Sequence, residues 1–191
     1  LVRDIESARY HINILFFKFE DDQVGNKIAD ALIRKSKEGV QVRLIYDEAG
    51  NMMVPRRFYR RLRKHGIQVR GFIRIFLPIL SRDYNSRNHR KVVVIDGRVG
   101  YMGGMNIAQR YAEGLKWGIW RDTHMRITGP AVSELQTSFL TDWKFTKGDE
   151  PDLAPMYPYN PPCGNTLMQI VTGGPMDKWN VMMQAYMTAI A

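Results

Sequence analysis

The apolar positions of this chain keep two rhythms, and the switches between them mark its elements. Residues 11–19 carry INILFFKF, a short and nearly continuous apolar run that predicts a buried strand, fed by the end of a helix in residues 1–10. Over 24–37, Val24, Ile28, Ala29, Leu32 and Ile33 recur at the spacing of an amphipathic helix, and Gly39 stops it. Residues 40–46, VQVRLIY, form a partly alternating strand ending at Asp47-Glu48. Pro55 opens a helix over 56–64, closed by His65-Gly66, and 67–72 supply another strand. In 91–95, KVVVI, three valines and an isoleucine favour a pleated backbone and leave no polar face for a helix. Asp96-Gly97 is a hairpin signal, and the chain returns through 98–102. A short helix over 107–111, an aromatic loop over 115–120 and a strand over 124–128 follow. Val132, Leu135, Phe139, Leu140 and Trp143 then mark an amphipathic helix over 131–145.

Strand and helix alternate in this order, which predicts an α/β fold with a mixed, mainly parallel sheet and helices on both faces. Ligands on such sheets gather near strand ends. Five prolines between Pro151 and Pro162 oppose regular structure and mark a linker. Residues 166–171 read as a resumed strand, followed by Thr172-Gly173-Gly174-Pro175 and a helical pattern through Met182, Ala185 and Ala189. Residues 72–80, FIRIFLPIL, read either as a loop lying against acyl chains or as a buried strand and turn.

The chemistry concentrates in residues 88–106, NHRKVVVIDGRVGYMGGMN. His89, Lys91 and Asp96 stand as H-x-K-x-x-x-x-D, and Gly103-Gly104-Met105-Asn106 follow at a fixed offset. The first part alone arises by accident in on the order of one chain in a hundred of this length. Alternate residues of a strand share a face, so His89 and Lys91 point the same way. The glycine pair permits close backbone approach, and Asn106 brings an amide donor to the same place. An imidazole, a fixed cation and an amide converging on one spot suit a phosphoryl group, and nothing in the pattern resembles a metal cage. A neutral imidazole can attack phosphorus to give a phosphohistidine while Lys91 and Asn106 stabilise charge on the non-bridging oxygens. A second imidazole must then protonate the departing alcohol, because one histidine cannot be nucleophile and acid in the same step.

This stretch resembles the HKD motif of the phospholipase D superfamily, whose members carry two copies facing one another across one active site. The resemblance is greatest to the bacterial cardiolipin synthases. It extends over Arg87-Asn88-His89-Arg90-Lys91, Gly103-Gly104-Met105-Asn106-Ile107-Ala108, Trp120-Arg121-Asp122-Thr123-His124 and Gly129-Pro130-Ala131-Val132. Gly104 departs from the serine of many superfamily members, although cardiolipin synthases often share this glycine. The resemblance implies phosphatidyl transfer between two phosphatidylglycerol molecules, giving cardiolipin and glycerol through a phosphohistidine on His89, with Lys91, Asn106 and Gly104 at the phosphate and no metal or organic cofactor. It implies that Asp122 accepts the second ring N–H of the histidine, against the alternative of an ion pair with Arg121 or Arg126. Asp96, also a motif residue, is expected to cap the hairpin or pair with a nearby arginine without touching phosphate. Residues 1–147 would be a first catalytic repeat, 148–165 a linker and 166–191 the start of a second repeat. The missing motif would come from the remaining half or another protomer. By the same resemblance the parent protein resides in the bacterial cytoplasmic membrane. The rival readings are a phospholipase D using water as acceptor, a dimeric HKD nuclease, and a noncatalytic module binding anionic lipid.

Composition narrows this little. Lys plus Arg number 28 against 19 Asp plus Glu, a net charge of +9 that suits phosphate-bearing partners, whether anionic membrane or nucleic acid. Arg56, Arg57, Arg60, Arg61, Arg63 and Lys64 crowd one predicted helix, as a solvated face or as a surface for anionic headgroups. Trp117 and Trp120 read as core or as interfacial anchors. His11, His65 and His124 lack a lysine two residues later, and surface roles are expected for His11 and His65. Cys163 is the sole cysteine, which excludes an intrachain disulfide or a cysteine-built metal site. No run of about 18 apolar residues occurs. Leu1 stands where a start methionine would and no leader pattern follows, so an internal fragment is expected.

Overall fold

The computed structural model describes residues 1–73, 87–116, 118, 120–174 and 180–191. The expected 72–80 segment, Trp117 and Pro175 fall wholly or largely outside them. In chain order the described elements are α1 (Val2–Ser7), β1 (His11–Phe16), α2 (Gln23–Lys37), β2 (Gln41–Asp47), α3 (Arg56–Lys64), β3 (Gln68–Phe72), β4 (Val92–Ile95), β5 (Val99–Gly103), α4 (Gln109–Glu113), β6 (His124–Thr128), α5 (Ala131–Phe145) and α6 (Val181–Ile190), with a 3-10 turn at Ala154–Met156. The strands form one mixed sheet in the order β3-β2-β1-β4-β5-β6. β1, β2 and β3 pair in parallel, and β1-β4, β4-β5 and β5-β6 pair antiparallel, so β5 runs in the direction of the parallel set.

Helices cover both faces, and alternation along the central strands shows why. On β1, Ile12, Ile14 and Phe16 pack with Ile5 of α1, Leu32 of α2 and Phe58 of α3. Leu15 turns the other way, onto Phe139 and Trp143 of α5. β4 divides likewise, with Val93 and Ile95 in the larger cluster and Val92 and Val94 against Val132 and Leu135. A strand buried on both faces has no use for polar alternation, which is why KVVVI is so uniformly apolar. Each fully buried Val, Leu or Ile contributes about 1.5–3 kcal/mol, so this double-sided core outweighs any single polar contact.

β1 ends three residues earlier than its apolar run because the chain leaves the sheet at Phe17. The Ile107 carbonyl accepts from the Glu20 amide at 2.9 Å, and the Ile107 amide donates to the Lys18 carbonyl at 3.2 Å. The α2 helix begins where Asp22, in extended conformation, accepts from the Gly25 amide at 2.8 Å. The β4-β5 hairpin forms at Asp96-Gly97, both with positive φ (51° and 61°) as a primed turn requires, closed by Arg98 N–H to the Ile95 carbonyl at 2.9 Å.

Three expectations need correction. Residues 166–171 form no strand, and Leu167 is fully exposed. A strand gains stability only from a paired edge, and β-propensity alone does not supply one. The proline-rich segment is not a free linker either. Met156 is 1% exposed, Asn160 Nδ2 donates to the Gly97 carbonyl at 2.7 Å, and Cys163 lies 3.2 Å from the Thr128 hydroxyl. His11, expected at the surface, is 1% exposed, with Nε2 at 3.3 Å from Gln136 Oε1 of α5.

Asp96 has a structural role at the end of β4 opposite Lys91. Its Oδ2 accepts from the Arg9 amide at 2.8 Å, and its Oδ1 accepts from the amides of Tyr10 at 2.8 Å and His11 at 2.9 Å. It thereby fixes the passage from α1 into β1. Asp96→Ala should lower unfolding stability by about 2–3 kcal/mol in urea titrations, and Asp96→Asn, which keeps an acceptor, by less.

Candidate active site

The sheet topology gathers His89, Lys91 and Asn106 at one end. β4 runs antiparallel to β1 and β5, so the start of β4 lies beside the last residues of both. β6 starts at the same place, with His124 in register with Gly103. Lys91, just before β4, is 3% exposed. Its Nζ donates to the His89 carbonyl at 2.6 Å and lies 3.2 Å from His89 Nδ1. Phe17, just past β1, closes one side: its ring centroid is 4.8 Å from that of His89, and Lys91 Nζ lies 5.6 Å from it. His89 itself is exposed at the mouth.

Residues outside the motif fix the short segment that carries His89. Asp47, 2% exposed at the end of β2, accepts from the Asn88 amide at 3.2 Å through Oδ2 and from the Gly50 amide at 2.8 Å through Oδ1. Arg90 reaches across to α5, where one guanidinium nitrogen donates to both oxygens of Asp142 at 2.7 Å. Asp142 is buried, so removing either partner strands a charge. Neither carboxylate stood out in the sequence as a site residue, since each lies in a different element from the motif.

The glycine pair serves packing. Gly103 has φ 157°, and a Cβ there would strike the Thr123 carbonyl and His124 Cα. A Cβ on Gly104 would collide with the Asp122 carboxylate. The space expected for a ligand is therefore filled by the segment leading into β6, whose Thr123 carbonyl accepts from the Gly104 amide at 2.8 Å. Glycine in place of serine at 104 is what allows Asp122 to lie there.

Asn106 is 8% exposed, with Oδ1 accepting from the Lys18 amide at 3.1 Å and Nδ2 donating to Tyr111 Oη at 2.8 Å. That leaves one N–H of the amide for a ligand. Asp122 is exposed, and the Thr123 amide donates to its Oδ1 at 2.7 Å. Among the described residues it makes no hydrogen bond to His89 and no ion pair with Arg121 or Arg126. Arg126 pairs with Asp4 at 2.7 Å. Asp96 is not brought to this cluster.

His124 is. Half-buried, it stacks on Phe16 with ring centroids 6.2 Å apart and planes at 11°, and its buried Nδ1 has no hydrogen-bond partner among the described residues. The Trp-Arg-Asp-Thr-His pattern was the one sequence signal pointing to it. Burial lowers the pKa of His89, Lys91's charge lowers it further, and Asp47 and Asp122 oppose the shift. His124 is lowered by burial, with Asp122 opposing and Lys91 reinforcing. Burial lowers Lys91 to about 8 against the pull of Asp122. Near pH 7 the arrangement is thus neutral imidazole beside a cation that still holds most of its charge.

A strand-end cluster of histidine, lysine and asparagine on this sheet belongs to the phospholipase D fold. A crystal structure of a phospholipase D family member, Nuc from Salmonella typhimurium, has the same fold, with a TM-score of 0.54 at 22% identity over 76% of this chain and 83% of that one. Residues 1–143 match the family described as "Cardiolipin synthase, PLD-like domain", and the chain belongs to that family. It is 41% identical over its whole length to the major cardiolipin synthase ClsA of Bacillus subtilis, and 39% identical to a cardiolipin synthase of Listeria monocytogenes. In each case it spans 40% of the relative's length.

The opposing carboxylates separate the two histidines. Asp122→Asn should lower the pKa of both His89 and His124, whereas Asp47→Asn should lower His89 alone, as read from imidazole Cε1–H shifts in NMR titrations.

Proposed function

We propose that this chain supplies one half of a phosphatidyltransferase active site that makes cardiolipin from two phosphatidylglycerol molecules. The observation that carries the proposal is the buried Lys91 ammonium beside the His89 imidazole, a cation with no carboxylate in contact among the described residues and a nucleophile at its edge. A phosphodiester oxygen drawn to Lys91 competes for the ammonium that otherwise sits on His89 Nδ1. Released, the ring takes its proton on Nδ1, held by Asp122, and presents Nε2 to phosphorus. The N–P bond forms as the bond to glycerol breaks, with glycerol protonated by a second imidazole. The terminal hydroxyl of another phosphatidylglycerol then attacks, gives its proton to that second base, and releases His89. Lys91 and the remaining Asn106 N–H bear the charge on the non-bridging oxygens in both steps. The second imidazole comes from a further HKD motif outside these residues or on another protomer, consistent with relatives of which this chain spans 40%. Residues 1–147 form the first repeat, and 166–191 begin the second. Membrane association of the parent protein follows from a substrate that never leaves the bilayer.

Rapid quenching of the parent protein during turnover of phosphatidylglycerol labelled in its phosphatidyl group should trap acid-labile, alkali-stable label on protein. The label should vanish in His89→Ala. Product analysis distinguishes cardiolipin from phosphatidic acid, the product if water were the acceptor.

The pH profile follows from the two shifts. Activity should rise as His89 deprotonates, at a pH below the ordinary imidazole value, and fall as Lys91 loses its charge through about 8. Lys91→Arg keeps the cation, so initial rates should be lower but the alkaline fall should move to higher pH.

A further inference from the structure

We infer that residues 52–60 are the edge by which this chain enters the interfacial layer of an anionic bilayer, laying the membrane across the mouth that leads to His89. The inference rests on the lipid reading above and assigns it a surface. Met53 is 95% exposed and Met52 59%, adjacent thioether chains presented to water. Their exposure is built in, because the loop beneath them is tightly held. Asn51 is 4% exposed, its Oδ1 accepts from the Phe19 amide at 2.8 Å, and its Nδ2 donates to the carbonyls of Phe17 and Asp47, both at 2.7 Å. A loop fixed by a buried asparagine on three sides presents its methionines as a consequence of its fold.

Behind the methionines runs an open groove of about 640 Å³, whose walls include the apolar Phe17, Met52, Met53 and Val54 and also the acidic Glu20, Asp21 and Asp22. Phe17 is the same ring that packs on His89. An apolar chain crossing this rim therefore places its headgroup beside the imidazole. Immediately after Pro55, α3 carries Arg56, Arg57 and Arg60 on its exposed side. On the same helix Arg61 pairs with Asp30, and Arg63 donates to the Val69 carbonyl at 3.2 Å. Among the described residues Arg56, Arg57 and Arg60 have no ion-pair partner, and no acidic residue occurs from 49 to 66. Exposed flexible apolar side chains bordered by unpaired arginines match the boundary between acyl chains and phosphates. A nucleic acid would use the arginines but leave the methionines in water.

The test uses this chain with Cys163→Ser and a single cysteine at Met53 or at Lys37, the latter at the far end of α2, each labelled with an environment-sensitive fluorophore. With vesicles of phosphatidylglycerol and phosphatidylcholine in equal parts, the probe at 53 should shift to the blue and be quenched by lipid-borne quencher. The probe at 37 should not respond, and pure phosphatidylcholine should move neither. Changing Arg56, Arg57 and Arg60 together to Gln should weaken vesicle binding by about 100-fold. Met52→Ser with Met53→Ser should weaken binding less and leave it fully salt-sensitive. Vesicle binding with the probe at 53 unshifted, equal responses at 53 and 37, or displacement of the vesicles by single-stranded RNA through the same arginines would overturn the inference. His89→Ala should bind as the unchanged chain does. Insertion at 53 without any trapped phosphohistidine in the parent would therefore count against the chemistry alone, and trapped label with 53 left in water against this surface alone.

Discussion

A lysine ammonium buried at the head of the central antiparallel strand sets the terms for everything around it. Lys91 is held by the carbonyl of its own near neighbour His89 and by the edge of that residue's ring, with no carboxylate in contact among the described residues. Burying a charge is costly, which is why the group is lowered to about 8 against the pull of Asp122. Burial depresses the neighbouring imidazole, and the same cation depresses it further, so the ring is held neutral. One buried charge thereby bears on both the phosphate binding proposed for this site and the protonation state of the group proposed to attack.

The sheet holds this arrangement by its mixture of directions. Because β4 opposes β1 and β5, the start of β4 meets the ends of its neighbours, and β6 begins beside them. Phe17, Asn106, and Asp122 with His124 reach one place from three separated stretches of sequence. Asp47 and the Arg90–Asp142 pair then fasten the segment carrying His89 to both sides of the core. An all-parallel sheet would bring together strand ends of one kind only. Here the motif lies at the beginning of a strand and its supports lie at the ends of others.

The surplus of positive charge also separates by role. Arg90, Arg110 and Arg126 pair with Asp142, Glu20 and Asp4 across element boundaries, so they act as fasteners. Among the described residues the arginines that open α3 have no such ion pair, and they follow directly on Pro55, which lines the groove that passes Phe17. Composition reports the sum of these two populations and cannot divide them. Division requires knowing which arginines have carboxylates across from them.

The sequence alone determined the elements, because periodicity is local. The helices at Arg56–Lys64 and Ala131–Phe145, the strand His124–Thr128 and the hairpin at Asp96-Gly97 all lie where spacing and turn chemistry put them. It also placed His89 and Lys91 side by side, since two residues of separation on an extended backbone leave them little choice. Tertiary structure alone decided that Asp96 faces away from them, that Gly104 makes room for a carboxylate, that His11 is buried while His124 joins the site, and that 166–171 finds no edge to pair with. Each of these depends on what another part of the chain brings to the same point, and a one-dimensional pattern records which way a side chain turns but not what it meets there.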